Sequence, residues 1–582
     1  MKKLIAALAL SVTLGAQAAE PAINQAIPGV RASGWPGQTR SEVLARHGMV
    51  ATSQPLAAEA GLEILKQGGN AIDAAIATAA VLNVVEPGSA GIGGDAFAIV
   101  WLAKEKKLIA LNASGKAPAA ATLAAYRKKG YTKVPLHGIH SATVPGAVDG
   151  WDALLKRAGT MDFKTLLAPA IRIAEEGFPM TERIRQDWQY GAKVLSADPL
   201  SVSTYLVDGK PPETYSIFRN PDLAKAFRLL GAGGRDAFYK GPIRDAIVKR
   251  SRELGGFLEP ADFDKSQVSW DEPISTLYRG YDVYEMPPST QGFATLEMLN
   301  IAEACAPKLG LDIAAAGPRS PDYWHFMVEA KKLAYADLER YNGDPAFSKV
   351  PVARLISKDY AATLCDRIDM KRASPAEKTV EAIGGTVYIA TADADGNMVS
   401  FIYSVYDTFG SGITVPGYGF VLADRGALFS MDPKSPNVIA PGKRPFHTLL
   451  PGFLMKDGKP VAAFGLMGGS QQAQGHAQVI VNMLDFGANM QAASDAARFS
   501  HMQGRDLLAL ESSLSGDIGP ALAARGHTVE YVTGEEMGGY QAIRFMPEKA
   551  DDLPGRASPD GPVNGAFVGA SDHRKDGLAI GW

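Results

Sequence analysis

Apolar residues recur at helical spacing over residues 57–67 and stop at Gly68-Gly69, which predicts a helix with a glycine stop. Asn70 then stands where a cap belongs, ahead of an alanine-rich helix that runs to about Val85. Glu86-Pro-Gly-Ser-Ala-Gly-Ile-Gly-Gly-Asp95 reads as a glycine-rich loop. Strand-like runs follow at 96–102 and 107–111, joined by a Lys/Glu turn. Helical spacing returns at 151–157, 163–176, 221–230 and 242–254. A strand-like block surrounds 278–284, and a long helical stretch covers 323–341. Two apolar runs, 386–392 and 398–406, flank the turn Asp393-Ala-Asp-Gly-Asn397 and predict a β-hairpin. Strands are expected at 419–422, 453–456 and 461–466, with a helix at 474–484. Strands interleaved with helices, and no internal repeat, predict a mixed layered α/β protein.

Composition narrows this picture. At 582 residues the chain allows three or four domains, or one large domain with insertions. Hydrophobic content of 46% and charged content of 21% supply an ordinary globular core. A net charge of −3 gives no pointer to nucleic acid or to an acidic membrane surface. Lys2-Lys3, the apolar stretch 4–14 and Ala16-Gln17-Ala18 occur in the order of a signal peptide covering 1–18. The expectation is therefore a mature start near Ala19 and export to a periplasm. The apolar run 71–85 is too short to span a membrane and contains Asp73. Export permits a disulfide between Cys305 and Cys365, and two free buried thiols remain an equal alternative. His137 and His140 read as loop residues with no acidic or cysteine partner nearby, so no metal site is expected.

Candidate chemistry concentrates at Gly385-Thr386. A threonine freed as a new N-terminus carries a nucleophilic hydroxyl and an α-amine base in one residue. That amine has an ordinary pKa of about 7.7–8.0, so a useful fraction is neutral at physiological pH. Glycine before it offers an unhindered carbonyl and an easily bent backbone. A five-residue turn pairs Ala392 with Met398 and carries Thr386 opposite Ser404, whose hydroxyl then orients the nucleophile. Gly465-Leu-Met-Gly468-Gly469-Ser470 ends an apolar strand before a helix, where Gly468 and Gly469 can aim N–H groups at an oxyanion. There is no GxSxG elbow, Walker A loop or HExxH motif, and in the 86–95 loop Ala96 stands where a dinucleotide fingerprint needs glycine. Close backbone packing or the lining of a pocket is the better reading of that loop.

These residues carry a resemblance to the γ-glutamyltranspeptidase family over nearly the whole mature chain. The matching pieces are Gly48-Met-Val-Ala-Thr-Ser-Gln-Pro-Leu-Ala-Ala-Glu-Ala-Gly61, Gly69-Asn-Ala-Ile-Asp-Ala-Ala75, Val85–Gly94, Val144-Pro-Gly146, Tyr278-Arg-Gly-Tyr281 and Met286-Pro-Pro288. Tyr335-Ala-Asp337, Gly343-Asp-Pro345, Gly385-Thr386, Asp395-Gly-Asn397, Phe409-Gly-Ser-Gly-Ile413, Lys443-Arg-Pro445 and Gly468-Gly469 complete the set. The resemblance implies an α+β fold, a four-layer αββα sandwich of the N-terminal-nucleophile hydrolase type, made as an inactive precursor. Self-cleavage would give a large subunit, 19–385, and a small one, 386–582, that stay one folded body. Thr386 would be nucleophile and base, Ser404 the orienting hydroxyl, and Gly468 and Gly469 the oxyanion hole. The implied partner is a small-molecule amide, with no cofactor and no metal.

Departures from the family pattern concern recognition of the glutamyl group. Ser114 replaces the arginine that binds its carboxylate, with Lys116 the nearest cation. Asp424-Arg-Gly-Ala-Leu428 has arginine and leucine at places the family fills with acids. His447-Thr448 replaces a serine pair, Tyr406 replaces an asparagine, and 430–441 is too short for the family's lid loop. Substrate contacts are accordingly expected from Ser114, Tyr406, Arg425, His447 and Thr448. The pattern resembles the amidohydrolase branch, similar to oxamate amidohydrolases and cephalosporin-type acylases, with water as acceptor. Two readings compete with it: a γ-glutamyl hydrolase or transferase with anchors rebuilt from Lys116 and Arg425, and an uncleaved, non-catalytic binding protein.

Overall fold

The apolar runs on either side of the 393–397 turn pair antiparallel as the strands Gly385–Asp393 and Met398–Tyr406, with Ala392 opposite Met398. The computed structural model describes residues 38–377, 384–558 and 561–582, so the signal-peptide reading of 1–18 and the start near Ala19 lie outside the described residues. The hairpin sits inside a seven-stranded sheet. Its order is Leu578–Gly581, Gly48–Thr52, Gly385–Asp393, Met398–Tyr406, Asp95–Leu102, Lys107–Ala113 and Ser269–Asp271. A second seven-stranded sheet has the order Val43–Ala45, Gly565–Ser571, Tyr540–Pro547, Lys459–Leu466, Pro451–Lys456, Tyr281–Glu285 and Ile274–Tyr278.

Both faces of the hairpin are covered, which is why its runs are continuously apolar. Val387, Ile389, Val399, Phe401 and Tyr403 pack into a core shared with the helices Pro55–Lys66, Ala71–Val85 and Phe163–Glu176. Tyr388, Ala390, Ala392 and Ile402 point into a second core, shared with the other sheet and with the helices Gly292–Cys305, Pro321–Tyr341 and Gln471–Leu484. The result is helix, sheet, sheet, helix: an α+β sandwich of four layers.

The helix Ala71–Val85 shows how the layers are tied together. Asn70 Oδ1 accepts from the Ile72 and Asp73 N–H groups, and Asp73 accepts from the Asn70 N–H in return. The Ala71 N–H donates to Asp393 Oδ2 at 2.8 Å, so the hairpin turn supplies a carboxylate to the helix N-terminus.

Several elements differ from the sequence expectation. Residues 419–422 form no strand; Phe420, Val421 and Leu422 are buried in an irregular segment, and Val421 makes one isolated bridge to Thr414. The helix beginning at Pro221 continues to Tyr239 across a non-helical Gly234. The 278–284 block splits at Arg279-Gly280 into the hairpin strands Ile274–Tyr278 and Tyr281–Glu285. Cys305 and Cys365 form a disulfide, which decides the alternative left open above. No helix among the described residues is long and apolar enough to cross a membrane.

Candidate active site

Thr386 lies one residue inside the strand Gly385–Asp393 and is buried. Pairing with the neighbouring strand runs from Ala392 opposite Met398 to Val387 opposite Tyr403, then slips by one residue so that Gly385 faces Tyr406. At this bulge two hydroxyls converge on one atom. Thr386 Oγ1 donates to the Gly385 carbonyl oxygen at 2.7 Å, and Ser404 Oγ donates to the same oxygen at 2.8 Å. Glycine at 384 and 385 permits the approach. A Cβ on Gly384 would lie 2.5 Å from the Tyr406 carbonyl oxygen, and one on Gly385 would lie 3.2 Å from the Gly88 oxygen.

Behind Ser404 stands a buried polar cluster. Ser404 Oγ accepts from the Tyr406 N–H at 2.7 Å and from Arg425 Nη2 at 3.3 Å. Arg425 is fully buried; its Nε meets Asp95 Oδ2 at 3.4 Å, its Nη1 donates to Thr448 Oγ1 at 3.1 Å, and its guanidinium lies 4.5 Å over the Tyr406 ring. Asp95 Oδ1 accepts from the Gly115 N–H at 2.6 Å. His447 Nδ1 accepts from the Leu449 N–H, so its proton sits on Nε2 and is donated to Asp95 Oδ2 at 3.1 Å. Burial, reinforced by Arg425, pushes His447 down to about 3, so the ring is neutral. Burial alone would raise Asp95; the His447 hydrogen bond and the Arg425 charge outweigh it and hold the carboxylate below its ordinary range.

A cavity of about 580 Å³ opens on the other side of Thr386. Gly384, Gly385, Thr386, Ser89 and Gly468 line it, as do His137, Asp407, Lys331 and Tyr335. The 86–95 loop thus lines a pocket and also packs closely, since a Cβ on Gly93 would lie 2.1 Å from the Val421 oxygen. Gly468 and Gly469 both have positive φ, +115° and +61°. Their carbonyls are engaged, Gly468 by the Gln471 N–H and Gly469 by Gln291 Nε2. Among the described residues neither glycine N–H has an acceptor. Such a pair can receive an oxyanion.

The structure therefore brings Thr386, Ser404 and Gly385 together and sets Gly468 on the same cavity. It does not bring Ser114, Tyr406, Arg425, His447 or Thr448 to that cavity; all five are buried, at no more than 3% exposure, the last four in the polar cluster around Ser404 and Asp95. Lys116 turns away, its Nζ donating to the Ser266 carbonyl.

The sequence reading missed other groups. Asp95 opens a strand and is read only as the end of a glycine loop, yet it anchors Arg425 from 330 positions away. His137 does have acidic partners, contrary to expectation: it lies 3.6 Å from both Asp407 and Asp424, residues far along the chain. Contact with Asp424 raises His137, and burial raises Asp424 to about 6. His325, Glu329 and His527 also cluster at metal-compatible spacing. There Glu329 is paired with Lys332 at 3.0 Å, the two rings bond each other, and His325 also bonds the Asp369 carbonyl.

Comparison with known proteins places this geometry in context. Residues 57–582 match the family model described as gamma-glutamyltranspeptidase. A glutathione hydrolase-like YwrD proenzyme from Bacillus subtilis is 37% identical, covering 92% of this chain and 98% of that protein. An acylase ACY 1 proenzyme from Pseudomonas sp. strain SE83 is 35% identical over 92% of this chain and 93% of its own length. The crystal structure of cephalosporin acylase from Bacillus halodurans superposes with a TM-score of 0.85 at 40% identity, covering 96% of this chain and 98% of that one.

Proposed function

The chain belongs to the gamma-glutamyltranspeptidase family of proenzyme amide hydrolases, and from that premise we propose that it severs its own Gly385–Thr386 bond and turns the freed Thr386 on the carbonyl of a small amide, with water resolving the acyl-enzyme. One observation carries the reading: the Gly385 carbonyl oxygen already receives both the Thr386 and the Ser404 hydroxyls. That geometry supports attack of Thr386 Oγ1 on the Gly385 carbonyl carbon, followed by hydrolysis of the resulting ester. Splitting yields the large subunit ending at Gly385 and the small subunit beginning at Thr386. In the mature enzyme the Thr386 α-amine takes the hydroxyl proton, and Gly468 with Gly469 holds the oxyanion of the substrate.

Substrate preference depends on what stands at the recognition positions. Gly384 rests directly on Tyr406, so release of the 384–385 end uncovers Tyr406, while Arg425, His447 and Thr448 stay buried behind its ring. This cluster offers one buried cation already committed to Asp95 and a neutral imidazole. The positions that hold a zwitterionic γ-glutamyl group in the family pattern thus offer no uncommitted cation here, and the Lys116 head group points elsewhere, although the cavity itself is lined by cations and acids such as Lys331, Lys575 and Asp407. Acyl amides of the kind that the acylase relatives' names denote are the better fit. Export to the periplasm, on the strength of the 1–18 segment, is part of the same proposal.

The test is a comparison of γ-glutamyl anilide with simple acyl amides, quenched in acid and digested for mass spectrometry. The reading expects faster turnover of the acyl amides and an acyl adduct on the peptide beginning at Thr386. Turnover of the γ-glutamyl compound alone, or an adduct on another residue, would refute it.

A further inference from the structure

We infer that Arg425 is a positioning residue for self-cleavage, acting through Ser404 on the Gly385 carbonyl rather than on substrate; this rests on the reading of Gly385–Thr386 as the processing site.

A serine hydroxyl has one proton and two lone pairs. At Ser404 the Tyr406 N–H and Arg425 Nη2 approach the oxygen as donors. The single proton is then committed to the remaining partner, the Gly385 oxygen at 2.8 Å. Arg425 cannot accept a hydrogen bond and keeps its charge, so it fixes the direction of the Ser404 O–H permanently. A cationic donor on the oxygen also polarises the hydroxyl and strengthens the bond it makes onward.

The reaction needs that donor at one moment. As Thr386 Oγ1 forms a bond to the Gly385 carbon, the carbonyl π pair moves onto its oxygen. The Thr386 hydroxyl proton passes to the Thr386 nitrogen, the C–N bond breaks, and an ester and a free α-amine result. Water then cleaves the ester to the Gly385 carboxylate and the restored hydroxyl. The negative charge on the Gly385 oxygen is met by Ser404 and, behind it, by Arg425.

The guanidinium is well placed to hold still. Asp95 takes Nε, Thr448 takes Nη1 and the Tyr406 ring covers one face, while His447 and the Gly115 N–H fix Asp95 in turn. Each Arg425 nitrogen thus has its own partner, and Nη2 is left to Ser404 alone.

The experiment follows conversion of full-length precursor into two chains over time for the wild type, Arg425→Lys, Arg425→Met and Arg425→Ala. Arg425→Met should slow splitting about 10- to 100-fold, the loss expected when one hydrogen bond from a charged donor is removed. Arg425→Lys should fall between, and added ethylguanidinium should accelerate Arg425→Ala, a rescue that a merely structural role would not produce. If removing the cation alone prevents folding, the Asp95→Asn/Arg425→Met double variant removes the ion pair as a unit, with its melting temperature as the check on folding. A folded variant of either kind that splits at the wild-type rate overturns the inference. If the wild type itself does not split at Gly385, the reading of the processing site falls first, which separates the two failures.

Discussion

Gly94 lies so close behind Ser404 that a Cβ on it would come within 2.2 Å of the Ser404 carbonyl oxygen and 2.8 Å of its carbonyl carbon. The obstacle is backbone, so a side chain at 94 can be accommodated only by moving the strand that carries Ser404. Gly94→Ala should cost about 1–3 kcal/mol of stability. It should also slow splitting at Gly385, because the Ser404 hydroxyl must reach a carbonyl that cannot follow it. Denaturant unfolding and a gel time course read the two effects; an alanine variant with wild-type stability and splitting rate would contradict this account.

Ser404 itself should be necessary for rapid maturation and replaceable by one residue. Ser404→Ala removes a hydroxyl donor from the Gly385 oxygen and should slow splitting about 100-fold or more, as loss of an oxyanion donor does elsewhere. Ser404→Thr keeps the hydroxyl and should split within about tenfold of wild type. Rapid splitting of Ser404→Ala would remove Ser404 from the mechanism.

Substitution at Gly468 should separate maturation from turnover. Its φ of +115° is strained for any other residue, and a Cβ would lie 3.3 Å from both Gln471 Cβ and Gly538 Cα. Gly468→Ala should still yield two chains while kcat on an amide substrate falls about 100-fold or more. Unchanged kcat in a folded, cleaved variant would show that this N–H pair does not hold the oxyanion.

Stability should carry a pH signature from Glu86. The Ser53 hydroxyl donates to Glu86 Oε1 at 2.5 Å, and burial raises this carboxyl to about 7 from an ordinary 4.5. A raised carboxyl holds its proton in the folded state after the unfolded chain has lost it. Its contribution is therefore full below about pH 4.5 and is lost as pH rises to about 7, a change on the order of 3 kcal/mol. Glu86→Gln should flatten that part of the profile, gaining on wild type between pH 5 and pH 8 in urea unfolding. Parallel profiles for the two proteins would rule Glu86 out as the source.

The hairpin and the approach of Thr386 to Ser404 were legible because local rules set them. A five-residue turn pairs Ala392 with Met398, and counting back from there reaches Thr386 and Ser404; the count misses only the one-residue slip at the bulge. The helix Ala71–Val85 was legible from its cap, and the glycine loop from its composition. What sequence hid was long-range. Arg425 and Asp95 meet across 330 positions and His447 and Asp95 across 352, and no local pattern marks such pairs. Arg425, His447 and Thr448 were expected to face substrate because they fill recognition positions, whereas the fold places them behind Ser404. Residues 419–422 misled because an apolar run can be buried as irregular backbone when its neighbours are glycines that let it approach, as Gly93 does for Val421. The strands Tyr540–Pro547, Gly565–Ser571 and Leu578–Gly581 escaped notice because they are short or broken by Arg544 and glycine, and only pairing across the sheets defines them.

Self-cleavage at Gly385 is tested most directly by the intact mass of the purified protein, with the new N-terminus identified by peptide sequencing. The account predicts two chains, the smaller beginning at Thr386 with a free α-amine, and one unbroken chain for Thr386→Ala. A single full-length polypeptide from the wild type, or a Thr386→Ala protein that still divides after Gly385, would contradict it.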